Sequence, residues 1–155
     1  MRSEILRLAV ERGVMIATAE SCTAGMVAAA LTDLPGSSAI FDRGFVTYTN
    51  AAKREMLGVE QSTLDAHGAV SEAVAVEMAQ GALARSDAAI AVSLSGIAGP
   101  GGSEHKPEGR VCFALAGPGG TQSETVEFGA LGRDRVRAAS RDHALSLILA
   151  ALRAL

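Results

Sequence analysis

The run 88–94, Ala-Ala-Ile-Ala-Val-Ser-Leu, narrows the possible folds more than any other segment of the chain. It is apolar without alternation, and it lies between a helical pattern and a glycine-rich loop. A strand with one wet face alternates, whereas a strand that is apolar throughout is covered on both sides. Covering both faces needs helices above and below, so the run predicts an α/β sandwich.

The other segments supply the layers. Residues 1–12 read as an amphipathic helix with Ile5, Leu6 and Ala9 inward, stopped by Gly13. Residues 14–19 form a short apolar strand. The polar stretch 20–25 opens an Ala-rich helix running to about Leu34, which Pro35-Gly36 ends. A second strand is expected at 44–49. Asn50 caps a helix over 51–57, 62–66 makes one more helical turn, and Ser71 caps a helix to about Arg85 with Val74, Met78 and Leu83 inward. Strands at 110–116 and 121–128 flank Gly117-Pro118-Gly119-Gly120, which predicts an antiparallel hairpin at a sheet edge. The last helix, about 133–154, presents Val136, Leu145, Ile148, Leu149 and Leu152. The expected architecture is a single α/β domain over 1–155, a mixed β-sheet sandwiched between helices.

Composition excludes several functions. A chain of 155 residues that is 48% hydrophobic can bury a core without staples. The net charge of −3, the absence of Trp and the single Tyr argue against a nucleic-acid platform. Cys22 and Cys112 make no disulfide framework, and no His/Cys spacing suits a metal. The N-terminal residues lack a signal peptide's unbroken apolar core, and no run is long enough to span a bilayer. The expectation is a cytoplasmic protein that uses no metal and no cofactor and engages neither membrane nor nucleic acid.

Four places break the bland pattern. Ser21 lies between a buried strand and a helix start, where free N–H groups can hold an anion or a developing oxyanion. Its hydroxyl could act as a nucleophile; on spacing alone, a plain N-cap at Ser21 or Thr23 is the commoner reading. Lys53 falls in the first turn of the helix after Tyr48-Thr49-Asn50, where the dipole opposes its charge. A general-base lysine must be neutral, and from a pKa near 10.4 that costs about 4.6 kcal/mol at pH 7, which burial and the dipole must supply. A solvated surface lysine is the other reading. The loop 95–109 holds five Gly and two Pro and follows the most apolar strand, at the end where α/β sheets bind ligands. It also suits a plain connector. Finally, Arg133, Arg135, Arg137 and Arg141 crowd the positive end of the last helix, a conflict that a bound phosphate relieves. A solvated basic face is the commoner reading of this segment alone.

Taken together these segments resemble a known family. The run Ala17-Thr18-Ala19-Glu20-Ser21-Cys22-Thr23-Ala24-Gly25 carries most of the resemblance. Pro35-Gly36-Ser37-Ser38, the stretch from Gly44 through Tyr48 to Lys53, His67-Gly68-Ala69-Val70-Ser71 and Ser93-Leu94-Ser95-Gly96-Ile97-Ala98-Gly99-Pro100 follow in the family's order. The chain is similar to the stand-alone CinA C-terminal domain family, the nicotinamide-nucleotide amidohydrolases of the PncC type. Its larger relatives add an N-terminal molybdopterin-binding-like domain.

The resemblance implies hydrolysis of the carboxamide of nicotinamide mononucleotide to nicotinate mononucleotide and ammonia, by a serine/lysine acyl-enzyme route without a metal. It implies Ser21 as nucleophile, Lys53 as general base and Tyr48 as the residue that helps activate or orient the pair. Ser38 and Ser95 correspond to substrate-side or oxyanion-side positions, with Cys22 and Thr23 also on the substrate side. Arg135 corresponds to the arginine that holds the nucleotide phosphate. Ala24 replaces a glycine common in relatives, and its position at a helix start predicts a small effect. A non-catalytic nucleotide-binding or regulatory module is the alternative, since the arginines and the glycine loop need no nucleophile. A symmetric homodimer is the expected assembly.

Overall fold

The computed structural model describes residues 1–155. In chain order it contains α1 (Arg2–Arg12), β1 (Ile16–Glu20), α2 (Met26–Leu31), a 3-10 turn (Ser37–Ala39) and β2 (Phe41–Val46). There follow α3 (Asn50–Leu57), α4 (Gln61–His67), α5 (Glu72–Ala84), β3 (Ile90–Gly96), β4 (Arg110–Gly117), β5 (Gly120–Glu127) and α6 (Arg133–Arg153). The strands form one mixed five-stranded sheet in the order β2-β1-β3-β4-β5. β2, β1 and β3 are parallel, while β4 and β5 add an antiparallel hairpin at one edge.

Chirality explains the layering. From β1 the chain steps outward through α2 to β2, then returns across β1 through α3, α4 and α5 to β3. Crossovers of one hand that step in opposite directions must lie on opposite faces. One face accordingly carries α1, α2 and α6 over Ile16, Ile90, Val92, Leu94 and Phe113. The other carries α3, α4 and α5 over Ala17, Ala19 and Ala91. β3 is buried at every position except its last, which is why its sequence does not alternate. No helix is long and apolar enough to cross a membrane.

Several boundaries differ from the sequence reading. β2 begins at Phe41, three residues before the expected Gly44, because its partner β1 pairs Ile16 with Phe41. α2 stops at Leu31 rather than Leu34, as the last turn loosens before Pro35. Thr49, not Asn50, caps α3, its hydroxyl accepting the Ala52 N–H at 3.0 Å. Ser71 caps α5 as expected, accepting from Val74 N at 3.2 Å. In α1, Ile5 and Ala9 are buried as expected, and Leu8 is buried in place of Leu6, which is only partly covered.

Candidate active site

The site forms where β1 and β3 end side by side and the strand order reverses, the usual ligand crevice of a parallel sheet. Glu20 pairs with Val46 on one side and Leu94 on the other. The ladder continues one residue further, with Thr47 N donating to Glu20 O at 2.8 Å and Ser21 N to Leu94 O at 3.2 Å. Thr47, Ser21 and Ser95 therefore form a row across three strand ends, on the same sheet face as Ala17 and Ala19. α3 lies over that face and lowers Lys53 onto the row.

Lys53 is 1% exposed. Its Nζ donates to Ser21 Oγ at 3.1 Å, Thr47 O at 3.1 Å and Tyr48 O at 3.2 Å. No carboxylate forms a salt bridge with it. Burial holds the ammonium below its usual range, and the Cys22 thiol and Glu104 carboxylate oppose that shift only in part. Ser21 is itself 8% exposed. The adjacent Cys22 thiol is pushed up to about 11 by burial, so it stays a protonated thiol at neutral pH.

The helix that follows Ser21 is not an open anion site. Glu20 turns its buried carboxylate onto the start of α2, accepting from Val27 N at 2.9 Å, Ala28 N at 3.0 Å and the Thr23 hydroxyl at 2.6 Å. Thr23 O takes the Met26 N–H. The donors left free lie in the turn itself, where Cys22 N and Thr23 N reach no protein acceptor. Neither Ser21 nor Thr23 acts as the expected N-cap; Glu20, one residue upstream, caps the helix. Ala24, in this turn, sits at φ 45°, a left-handed conformation that a glycine adopts without strain.

The remaining expected residues divide. The Ser95 hydroxyl is 1% exposed as a residue, adjoins Ser21 in register and has no protein hydrogen-bond partner. Tyr48 is 54% exposed and its side chain bonds neither Ser21 nor Lys53, so Tyr48 reaches Lys53 only through its backbone carbonyl. Its hydroxyl accepts instead from Arg133 Nη2 at 2.9 Å, while Arg133 Nη1 donates to Gly99 O at 2.8 Å. Ser38 is exposed and precedes β2, at the opposite end of the parallel strands, and about 16 Å of strand separates it from Ser21. This chain does not bring Ser38 to the site. Arg135 is exposed and bonds to nothing; it lies two residues, about 200°, round α6 from the site-facing stripe. That stripe carries Arg133 and Arg137, one helical turn apart, and Arg137 Nε donates to Cys22 O at 3.0 Å. Helical spacing in the sequence already groups Arg133 with Arg137 and separates Arg135. Nothing in the sequence marks Glu20 beyond its being a carboxylate at the end of an apolar strand.

The glycine loop is fixed from two sides. Glu108 accepts from Gly101 N at 2.7 Å and Gly132 N at 3.0 Å, tying the loop to the start of α6. Lys106 Nζ donates to His67 O at 2.7 Å and Val70 O at 2.6 Å, tying it to the α4–α5 link.

Comparison with known proteins gives a consistent picture. The CinA C-terminal domain profile matches residues 1–152. The nicotinamide-nucleotide amidohydrolase PncC of Escherichia coli is 54% identical over 138 residues, which cover 88% of this chain and 84% of that protein. A putative competence-damage inducible protein of Symbiobacterium thermophilum is 54% identical over 152 residues, but the chain spans only 35% of that longer protein. Among solved structures, competence/damage inducible protein CihA from Agrobacterium tumefaciens superposes with a TM-score of 0.88 at 48% identity, covering 97% of this chain and 96% of its own. A CinA superfamily protein from Klebsiella pneumoniae gives 0.94 at 37% identity, covering 99% and 96%.

Proposed function

Because the chain belongs to the CinA C-terminal domain family, we propose that it is a nicotinamide-nucleotide amidohydrolase, releasing ammonia from the carboxamide of nicotinamide mononucleotide through a Ser21 acyl-enzyme. The observation that carries the reading is a buried lysine amine 3.1 Å from a serine hydroxyl at the end of a parallel strand. The likeness to an enzyme named for this activity over most of both chains supports the substrate.

The contacts of Lys53 suit a base. Thr47 O and Tyr48 O can only accept, so they take the two N–H bonds of the neutral amine and leave its lone pair facing Ser21. An amide is a poor electrophile with a poor leaving group, and a covalent intermediate divides its hydrolysis into two steps. Lys53 takes the Ser21 proton as Oγ bonds to the carboxamide carbon. The free N–H groups of Cys22 and Thr23 hold the oxyanion, with the Ser95 hydroxyl beside them. The C–N bond then breaks, and the proton on Lys53 leaves with ammonia. Water, deprotonated by the same amine, attacks the acyl carbon and restores Ser21. The Tyr48 ring and Arg133 wall the mouth of the site, and Arg133 is better placed than Arg135 to meet a substrate phosphate.

Symmetric dimers are the common assembly for enzymes of this size, and two free cysteines suit a reducing compartment, so the reading includes a cytoplasmic homodimer. The deciding experiment incubates purified protein with nicotinamide mononucleotide and measures ammonia against a Ser21→Ala control. Release at the control rate overturns the proposal, and nucleotide binding without turnover establishes the non-catalytic module instead. Light scattering on the same preparation reads the assembly.

A further inference from the structure

We propose that Arg137 is a positioning residue that aims the Thr23 N–H at the oxyanion by holding the Cys22 carbonyl from the far side of the sheet. The inference rests on the amidohydrolase reading for its substrate but not for its geometry.

Arg137 projects from α6, on the face that carries Ile16, Val92 and Leu94, whereas Ser21 and Lys53 meet on the opposite face. Its Nε donates to Cys22 O at 3.0 Å and its Nη2 to Thr23 O at 3.5 Å. The Cys22 carbonyl and the Thr23 N–H belong to one peptide unit, and in a planar trans peptide they point in opposite directions. A carbonyl drawn toward α6 therefore turns the Thr23 N–H toward Ser21. That N–H is buried with Thr23 at 0% exposure and has no protein acceptor. Further along the turn Ala24 N is taken by Ser21 O, Met26 N by Thr23 O, and Val27 N and Ala28 N by Glu20, while the adjacent Cys22 N is open as well. Buried N–H groups are paired almost without exception, so open donors beside a nucleophile mark the place of a ligand atom.

The guanidinium also acts through its charge. Arg137 takes part in no salt bridge, so no carboxylate neutralises it. A cation on the oxygen of a peptide polarises that unit and makes its N–H a stronger donor. The stronger donor matters most when the facing oxygen becomes an anion, so the contribution belongs to the transition state rather than to substrate binding. A phosphate-binding arginine would show the reverse.

The test separates the two roles. Arg137→Ala, checked for native circular dichroism, is assayed on nicotinamide mononucleotide and on the phosphate-free riboside. The expected result is a kcat lower by about 10²-fold, KM within about threefold, the same loss on both substrates, and partial recovery of kcat with added guanidinium. A raised KM with kcat kept, or a loss confined to the phosphorylated substrate, overturns the proposal. If the alanine variant does not fold, Arg137→Lys answers the same question. It keeps the charge on a single nitrogen without the planar fork, so kcat should fall less and KM should stay. A fluorophosphonate probe supplies a second readout that needs no nucleotide. Ser21 Oγ forms the P–O bond, fluoride leaves, and Lys53 takes the proton. Wild-type labelling should be slowed about 10²-fold by Arg137→Ala, and an unchanged rate overturns the clamp. If wild-type protein labels but releases no ammonia, the amidohydrolase reading fails while the labelling rates still decide the role of Arg137.

Discussion

Lys53 shows how one side chain can be chemically unlike others of its type. It projects inward from α3, its amine touches only a hydroxyl and two carbonyls, and burial disfavours its charged form. Lys53→Ala should lower turnover about 10³-fold or more, and Lys53→Arg should not restore it, because guanidinium stays charged. In the wild type, kcat/KM should rise with pH as the amine deprotonates and level off below the pH expected for an ordinary lysine. A profile that falls over that interval contradicts the base assignment. Ala24 makes the opposite point. Its φ of 45° strains a residue that has a Cβ. Ala24→Gly should stabilise the fold by about 0.5–1 kcal/mol in chemical denaturation. The alanine's identity is plain in the sequence, but its strain becomes visible only once Glu20 and Ser21 are seen to set the turn.

The elements hold these side chains by contacts that local pattern does not encode. α2 has six residues and no side-chain cap at the position preceding it, and its first N–H groups depend on the carboxylate at the end of β1. Glu20→Ala leaves those donors and the Thr23 hydroxyl without their acceptor. It should cost about 3 kcal/mol and should reduce turnover as well, since the same turn carries Ser21. α3 is placed over the site by its crossing with α5. At Gly81 an added Cβ would stand 2.0 Å from the carbonyl oxygen of Leu57, the last residue of α3. Gly81→Ala should therefore destabilise by about 3 kcal/mol and move Lys53 away from Ser21, which thermal unfolding and residual activity together would show. The helical periods of α3 and α5 are readable from their residues, yet the need for glycine at position 81 is a property of their crossing. The same holds for the arginines of α6. Four are visible in the sequence, and helical spacing already sets Arg133 and Arg137 on a stripe apart from Arg135, but only the docking of the helix makes that stripe the one that meets the site.

The whole molecule carries the free-energy cost of the site as a dependence of stability on pH. The folded-state pKa of Lys53 is depressed, so between that value and the unfolded value of about 10.5 the unfolded chain binds a proton that the folded chain does not. Stability then rises with pH across that window, and the penalty is fully present below the folded pKa. Relative to Lys53→Met, which has no such group, wild-type protein should gain stability as the pH rises from the depressed folded-state value toward about 10.5. Parallel denaturation curves at several pH values test this, and equal slopes for the two proteins would mean the amine is not desolvated.

The local arrangement of helices and strands is written in the chain because it follows from short-range rules. An unbroken apolar run becomes a strand covered on both faces, a serine or threonine caps a helix, and a glycine-rich link makes a hairpin. These depend on residues a few positions apart, and so do the runs around Ser21, Lys53 and Ser95 that carry the family resemblance. Tertiary structure decided the rest. It put Thr47, Ser21 and Ser95 in one row, left the Tyr48 phenol and Ser38 out of it, and chose which arginines face inward. Those outcomes depend on strand register and helix docking between segments far apart in sequence, where no local propensity reaches and only the packing of the complete sheet fixes the geometry.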